Sequence, residues 1–467
     1  MKVLFIRLSP YLLIKNPHPQ DVSPHPDIGY SSAILEKEGH EVYLIDTEAE
    51  KYSFKKILFE IDKINPEVIF ILTKTPTAKL TIKIAKKIKS KFKTSIFLFG
   101  QHASSIPESF LFQGSPIDLC VIGEPEITIK ELLENFGQDS IFSVNGIAYY
   151  DRELKFTKPR ELIQNLDSLP LPKHNFFLNE KYKVYYPINF LGRIKWGFME
   201  SSRGCPYDCI FCSPTLRLSY GKTYRALPPK KVVDEIEYLI SKGVNVVEFM
   251  DDIFTFDQER IVKICEEINR RGIKIKWTAQ TRPDLVSKPL LKKMKLAGCS
   301  TIRFGIESGS DRILKLLKKN TTKEQIKTVF EWCKKIGILT VGYFMIGNPS
   351  ETEEEIEETI NFCRYLKPDM IQVAFFTPYP GSPSFDLLKN SDKLCFNKFS
   401  HYNRPEFCLS NLSKDRLLKL QKIFYLKWFL LPHVFFTYTK RKLLQLFFNF
   451  RNEFDFLIKT IRFLVGE

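Results

Sequence analysis

Eleven short apolar runs, all of strand length and separated by charged helical patterns, leave this chain few folds to choose from. Five lie in the first 150 residues: "KVLFIRL", "EVYLID", "VIFILT", "SIFLFG" and "DLCVIG". They are continuous Val, Ile, Leu and Phe stretches rather than alternating ones, the pattern of strands buried on both faces. Segments of helical period lie between them, so residues 1–150 read as a doubly wound parallel sheet with helices on both faces. Ligands of such sheets sit beyond the carboxyl ends of the strands. That rule picks out Ser9 and Pro10, Thr73 to Thr75, Gly100 to His102, and Gly123 to Glu126.

A polar, proline-bearing stretch, "RELIQNLDSLPLPKHNF", breaks the alternation, and residues 151–195 read as a linker. Six more strand-like runs follow in residues 196–384: "WGFMESS", "VNVVEFMDD", "IKWTAQTR", "TIRFGIES", "LTVGYFMIG" and "MIQVAFFTP". Helical segments such as "KKVVDEIEYLISKG" lie between them, which predicts a partial (β/α)6 TIM barrel with its chemistry at the carboxyl ends of the strands. Polar residues gather at those ends: Asp251, Asp252, Gln280, Arg282, Glu307, Ser308, Gly347 and Tyr379.

Residues 385–467 form a helical C-terminal region in this reading. From Lys414 onward 11 Lys/Arg oppose 4 Asp/Glu, interleaved with "IFYLKWFLL" and "LLQLFFNF", and Pro432 should break or kink the helix. Two readings stand for this tail: a cap packed on the barrel, or an amphipathic contact with a membrane surface. No run of apolar residues is long enough to span a bilayer. The formal charge of +16 does not by itself argue for nucleic acid. The lysines are spread along amphipathic segments such as "KLTIKIAKKIKSKFK", the pattern of solvated helix faces. The ten cysteines show no disulfide framework, and no signal peptide precedes "KVLFIRL", so the expected compartment is the reducing cytoplasm, with the tail at most peripheral to the inner membrane face.

Three of those cysteines crowd into "RGCPYDCIFCS": Cys205, Cys209 and Cys212, spaced C-x3-C-x2-C. Soft thiolates at this density point to metal. Structural zinc needs four ligands, yet the next cysteine is Cys265 and no histidine intervenes. Three thiolates suit an iron–sulfur cubane that leaves one iron open. Cys265, Cys299, Cys333, Cys363, Cys395 and Cys408 have no ligand spacing among themselves and read as ordinary thiols.

"RGCPYDCIFCS", placed after a barrel strand, resembles the signature of the radical S-adenosylmethionine (SAM) superfamily, and further stretches match that superfamily in order along nearly the whole chain. The resemblance implies a [4Fe-4S] cluster on Cys205, Cys209 and Cys212, SAM chelating the open iron, and reductive cleavage to a 5′-deoxyadenosyl radical. It places Phe211 against the adenine. "FMDDIFTFD" matches the second-strand motif that binds the SAM amino group, with Asp251 and Asp252 in place of the usual Gly-Gly-Glu run; the alternative is that either aspartate caps the helix beginning "DQERIVKI". "RFGIESGSDRIL" carries Glu307 and Ser308 toward the ribose and amino group. "GYFMIGNPSET" brings Gly342 and Gly347 near the adenine, although a glycine there serves a tight turn equally well. Arg282 is assigned to the SAM carboxylate, the substrate or a surface ion pair. The family's W-R-x-R-S stretch survives only as "YGKTYRALPP", with Tyr224 and Arg225 as its closest matches.

The N-terminal domain is similar to the cobalamin-binding module of one branch of that superfamily, through "DIGYSSAILEKEGHEVYLID" and "LFGQHASSIPESF". That similarity implies cobalamin contacts from Thr73, Thr75, Gly100, His102, Gly123 and Glu124. His102 stands either near the corrin face or as a plain loop histidine. Glu124 and Glu126 match the branch's G-E-x-E, and Glu126 also suits a helix N-terminus. The cobalt-ligating D-x-H-x-x-G motif is absent from "LSPYLLIKNPHPQD", and the usual Gly-Gly is Gly100-Gln101. The leading expectation is a cobalamin-dependent C-methyltransferase acting on a small or lipid-like natural product, fed electrons by a flavodoxin or ferredoxin. The competing expectations are radical cyclisation, rearrangement or oxidation with a degenerate cobalamin domain, and a nonenzymatic metal-stabilised RNA-binding module. Methylthiolation is disfavoured because Cys120 is the one cysteine in the N-terminal domain.

Overall fold

The computed structural model describes residues 1–10, 12, 21–188, 190, 192–212, 218–388, 396, 399, 401 and 404–434. Its first sheet contains β1 (Lys2–Arg7), β2 (Glu41–Asp46), β3 (Val68–Leu72), β4 (Ser95–Phe99), β5 (Leu119–Val121), β6 (Ile147–Asp151) and β7 (Glu153–Phe156). The spatial order is β2-β1-β3-β4-β5-β6-β7, with the first five strands parallel and the last two antiparallel. Strand order reverses between β1 and β3, which creates a switch point at their carboxyl ends. One face packs Ile6, Ile69 and Ile71 against Ile57 and Ile61 of helix Phe54–Ile64 and Ile84 and Ile88 of helix Ala78–Lys89. The other packs Phe5, Phe70 and Phe97 under helices Pro26–Lys37 and Pro125–Glu134.

The antiparallel hairpin differs from the sequence expectation. It carries the sheet to Phe156, past the expected boundary at residue 150, because β6 and β7 pair through register-matched partners from Ala148–Phe156 to Asp151–Glu153. The expected linker is a strap rather than a spacer. Leu166 enters the barrel core, while Phe177, Tyr182, Val184 and Ile188 enter the core shared by the two domains.

The second sheet has six parallel strands: β8 (Trp196–Met199), β11 (Val246–Phe249), β12 (Lys276–Thr281), β13 (Cys299–Glu307), β14 (Leu339–Ile346) and β15 (Met370–Phe375). A two-stranded ribbon, β9 (Ser202–Arg203) and β10 (Arg225–Ala226), follows β8. This is the open barrel that the six apolar runs predict. Alternate residues divide between two environments. Phe249, Trp277, Ile302, Phe304 and Phe344 pack under the helices. Glu248, Thr278 and Arg303 form a buried cluster on the opposite faces, where the Arg303 guanidinium reaches Glu248 and covers the Tyr186 ring of the strap at 4.6 Å.

Helix Lys414–Phe429 closes the free edge of this sheet. Gln421 donates to the Val373 carbonyl at 2.8 Å and Tyr425 accepts from the Val373 amide at 3.0 Å, so side chains satisfy the unpaired edge of β15. Phe424 meets Phe344 at 5.1 Å. This part of the tail is therefore a cap, while residues 435–467, on which the membrane-contact reading depends, lie outside the described residues. Among the described residues no helix is long and apolar enough to cross a membrane.

Candidate active site

The three cysteines sit on the loop that leaves β9, and this loop is moored at both ends. Gly204 adopts φ +87°, and a Cβ there would lie 2.1 Å from the Thr223 carbonyl oxygen, so only glycine fits before Cys205. The Cys205 amide donates to the Gly221 carbonyl at 3.4 Å, Cys212 to Cys209 at 3.3 Å, and Ile210 to Leu317 at 3.1 Å. Cations flank the thiols. Arg282 is forked onto Asp284 at 2.9 Å, lies 3.7 Å over the Tyr207 ring, and aims Nη1 at Cys209 Sγ from 3.7 Å. Burial raises the Cys205 and Cys212 thiol pKa values, the neighbouring thiols and Asp252 add to both, and the Lys319 ammonium opposes the rise at Cys212. The described residues contain no group of three or more His, Cys, Asp or Glu side chains drawn together around a single ion. Three mutually interacting thiols beside two cations suit a larger anionic cluster, so the donor set fits the iron–sulfur assignment.

Asp252 is the unengaged carboxylate of the site. Its Oδ2 is buried without a hydrogen-bond partner among the described residues, and burial together with Asp251 pushes its pKa up to about 7. A cationic group placed there would relieve both penalties. Asp251 is otherwise engaged: it accepts from the Ser201 amide at 2.7 Å and from the Ser201 and Ser202 hydroxyls, bracing the turn between β8 and β9. Neither aspartate caps the following helix, because Asp257 does so through the Arg260 amide at 2.9 Å. Glu307 takes a left-handed backbone, φ +67°, and pairs with Lys319 at 3.0 Å. Lys319 Nζ lies 5.9 Å from the Phe211 ring, which packs with Ile313, Leu317, Met345 and Phe376.

Three residues expected at SAM also make structural contacts within the protein. The Ser308 hydroxyl bonds Thr359 at 3.0 Å and accepts from the Ser310 amide, fastening β13 to helix Glu353–Leu366. Gly342 faces the helix layer, where a Cβ would meet Phe344 at 2.8 Å and Ile306 at 3.0 Å. Gly347 is the turn glycine, with φ +77°, and a Cβ there would stand 3.1 Å from Leu417 of the C-terminal helix. Glu351 closes that turn by accepting from the Asn348 amide and side chain, both at 2.9 Å.

The N-terminal residues divide in the same way. Thr73 donates to the Phe99 carbonyl at 2.9 Å and accepts from Ala103 at 3.1 Å; Thr75 bonds His102 Nδ1 at 3.2 Å, and Ser109 bonds its Nε2 at 3.2 Å. His102 is fully buried, and burial pulls its pKa down to about 4. These groups satisfy one another, and no ring nitrogen of His102 is left for a metal. Gly100 lets β4 close on β3, since a Cβ would lie 2.7 Å from Leu72. Gly123, with φ +88°, turns the chain at the domain interface, where a Cβ would lie 3.8 Å from the Leu218 carbonyl oxygen.

Glu124 departs most from expectation. It accepts from Arg225 at 2.8 and 3.0 Å, from Arg203 at 3.3 Å and from the Ile163 amide at 2.7 Å, which leaves it no free oxygen for a cofactor. Arg203 also reaches Glu126 at 2.6 Å and Glu200 at 2.7 Å, between the Tyr30 and Tyr220 rings. Tyr220 donates to Asp27 at 2.5 Å. The G-E-x-E pair is thus a clamp that holds the first domain onto the ribbon carrying the cysteine loop. Arg203, next to the motif glycine, and Arg225, the remnant of W-R-x-R-S, are functional positions that the sequence reading did not assign. Two buried arginines facing two glutamates become visible only when the domains are docked.

An open barrel with three thiols on the loop leaving β9, clamped by buried ion pairs against a doubly wound domain, is a two-domain α/β architecture suited to a metal cluster. The Radical SAM superfamily model matches residues 199–363, and a B12 binding domain model matches residues 23–133. An uncharacterised methyltransferase of Pyrococcus horikoshii is 32% identical over 409 residues, 86% of this chain and 87% of its own length. An anaerobic magnesium-protoporphyrin IX monomethyl ester cyclase of Rubrivivax gelatinosus is 31% identical over 389 residues, covering 80% and 68%. The tryptophan- and aza-SAM-bound methyltransferase TsrM of Kitasatospora setae shares the fold at TM-score 0.67 and 20% identity, covering 82% of this chain and 74% of TsrM. The chain belongs to the radical SAM superfamily, in the branch that carries a B12 binding domain, and it is an enzyme.

Proposed function

We propose that this enzyme is a cobalamin-dependent methyltransferase that acts on a carbon of a small or lipid-like molecule. The observation that carries this reading is the clamp. Arg203 and Arg225 fix the first domain against the ribbon that presents Cys205, which holds the two cofactor domains together in one molecule. When bound, the cluster supplies the electron that cleaves SAM and cobalamin supplies the transferable methyl group. Cys205, Cys209 and Cys212 hold the cluster, with Arg282 and Lys319 offsetting its charge. Asp252 receives the SAM ammonium, because its orphaned oxygen calls for a donor. Phe211, Met345 and Phe376 offer an apolar wall for the adenine. Residues 1–156 form the cobalamin domain, 157–195 the strap and 196–384 the barrel.

The test is an anaerobic reconstitution with iron, sulfide and hydroxocobalamin, followed by SAM and a flavodoxin or dithionite. Methyl transfer releases both 5′-deoxyadenosine and S-adenosylhomocysteine. A cyclisation reading has support in the similarity to the Rubrivivax gelatinosus cyclase. It yields deoxyadenosine without stoichiometric S-adenosylhomocysteine. Absence of deoxyadenosine would remove both.

A further inference from the structure

Helices Phe54–Ile64 and Ala78–Lys89 lie side by side on one face of the first sheet, bedded through Ile57, Ile61, Ile84 and Ile88. Lys83 Nζ of the second stands 5.7 Å from the Phe54 ring of the first. The clamp to the barrel uses the opposite face, through Asp27 and Glu126 of helices Pro26–Lys37 and Pro125–Glu134. Residues 78–93 hold seven lysines and no aspartate or glutamate. Lys79, Lys83 and Lys87, all exposed, follow one another at i,i+4, where like charges repel. A helix face that meets only water can interleave acids, as helix Gln258–Arg270 does with Glu259, Glu266 and Glu267. Here Glu60 pairs with Lys56 at 2.5 Å and Asp118 with Lys89 at 2.7 Å, which leaves Asp62 as the one unpaired acid of the two helices among the described residues. An exposed aromatic stands in this charge: Phe59 is 59% exposed, one turn from Lys55, Lys56 and Lys63, with Lys56 Nζ 4.7 Å from its ring.

We propose that this face docks the enzyme on an anionic lipid surface, with Phe59 entering the boundary between headgroups and chains and the lysines of both helices facing the headgroups. The repulsion along Lys79, Lys83 and Lys87 is relieved when negative charge covers them, and lysine stems reach past an inserted ring to keep their ammonium groups at the headgroup level. Two features favour lipid over nucleic acid. Residues 51–93 contain no arginine, the side chain whose planar fork grips a phosphate through two hydrogen bonds, so the face offers point charges suited to a fluid surface. An exposed phenylalanine set among lysines is the composition of helices that lie in the membrane interface. The surface is separate from the basic C-terminal tail, and the proposal does not depend on the reaction catalysed.

The experiment is flotation of the full chain with phosphatidylcholine vesicles, with and without phosphatidylglycerol. Wild type should partition onto the anionic vesicles and be released by salt. Lys83→Gln, Lys86→Gln and Lys87→Gln together should weaken that partition roughly hundredfold, at about fivefold per lysine, and Phe59→Ser should weaken it roughly tenfold. The matched triple Lys292→Gln, Lys334→Gln and Lys335→Gln, exposed lysines on two barrel helices, should leave it unchanged. An equal loss in both triples makes net charge the cause and overturns the proposal. So does flotation that survives the first triple, which assigns the contact to another part of the chain, or the absence of wild-type binding. Tighter binding to a DNA duplex than to the anionic vesicles at the same salt overturns it in favour of nucleic acid.

Discussion

Arg203→Met tests whether the domain clamp is a buried charge network or a decorative one. The guanidinium is 1% exposed and serves Glu126, Glu200 and Glu124 at once. Glu124 keeps Arg225 after the substitution, whereas Glu126 and Glu200 lose their cation. Removing one partner of a buried pair costs roughly 3–5 kcal/mol. Protonation limits the damage, because burial already pushes Glu200 up to about 8 and it gives up its charge at neutral pH. The cost should therefore equal that of one buried pair rather than two. For a folding unit of 150–250 residues this lowers the melting temperature by roughly 6–20 °C. The deficit should grow as pH rises through about 8, where the wild-type Glu200 ionises against Arg203 while the variant's carboxyl, its pKa higher still without the guanidinium, keeps its proton at a growing cost. Thermal and urea unfolding of wild type and variant at pH 6 and 8.5 measure both effects. A loss below about 1 kcal/mol, equal at the two pH values, is the behaviour of an exposed pair and would refute the reasoning.

Gly204→Ala should misplace the cysteine loop, because its Cβ would overlap the Thr223 carbonyl; iron bound after reconstitution should fall with overall fold retained by circular dichroism. Asp252→Asn should weaken SAM binding by roughly 10–150-fold, the worth of a hydrogen bond to a charged group, as read by calorimetry with the cluster intact. Unchanged affinity would release Asp252 from that role. His102 is held neutral, so wild type should lose roughly 2–4 kcal/mol as pH falls from 6.5 to about 4, where the unfolded chain binds the extra proton. His102→Asn should flatten that part of the urea-midpoint profile.

Both α/β units are legible without coordinates, because eleven short, mostly apolar runs separated by helical patterns suit the strands of buried parallel sheets. The C-x3-C-x2-C spacing of Cys205, Cys209 and Cys212 is legible in the same way, since it is a local pattern that points to metal without tertiary context. Pairing of a carboxylate with a guanidinium is different. Glu124 and Arg225 stand 101 residues apart, and nothing local distinguishes a cofactor ligand from a clamp. The same limit applies to Ser308, which lies in a matching motif yet bonds Thr359 fifty-one residues away. Gly342 was open to two readings because glycine reports only that space is short. Which neighbour takes the space, cofactor or the Phe344 ring, is decided by the pleat of a strand once the sheet is packed. Lys319, Arg203 and Asp27 drew no notice as lone charges in ordinary surroundings. Tertiary packing gave them meaning, because burial makes an unpaired charge costly and so obliges distant segments to meet.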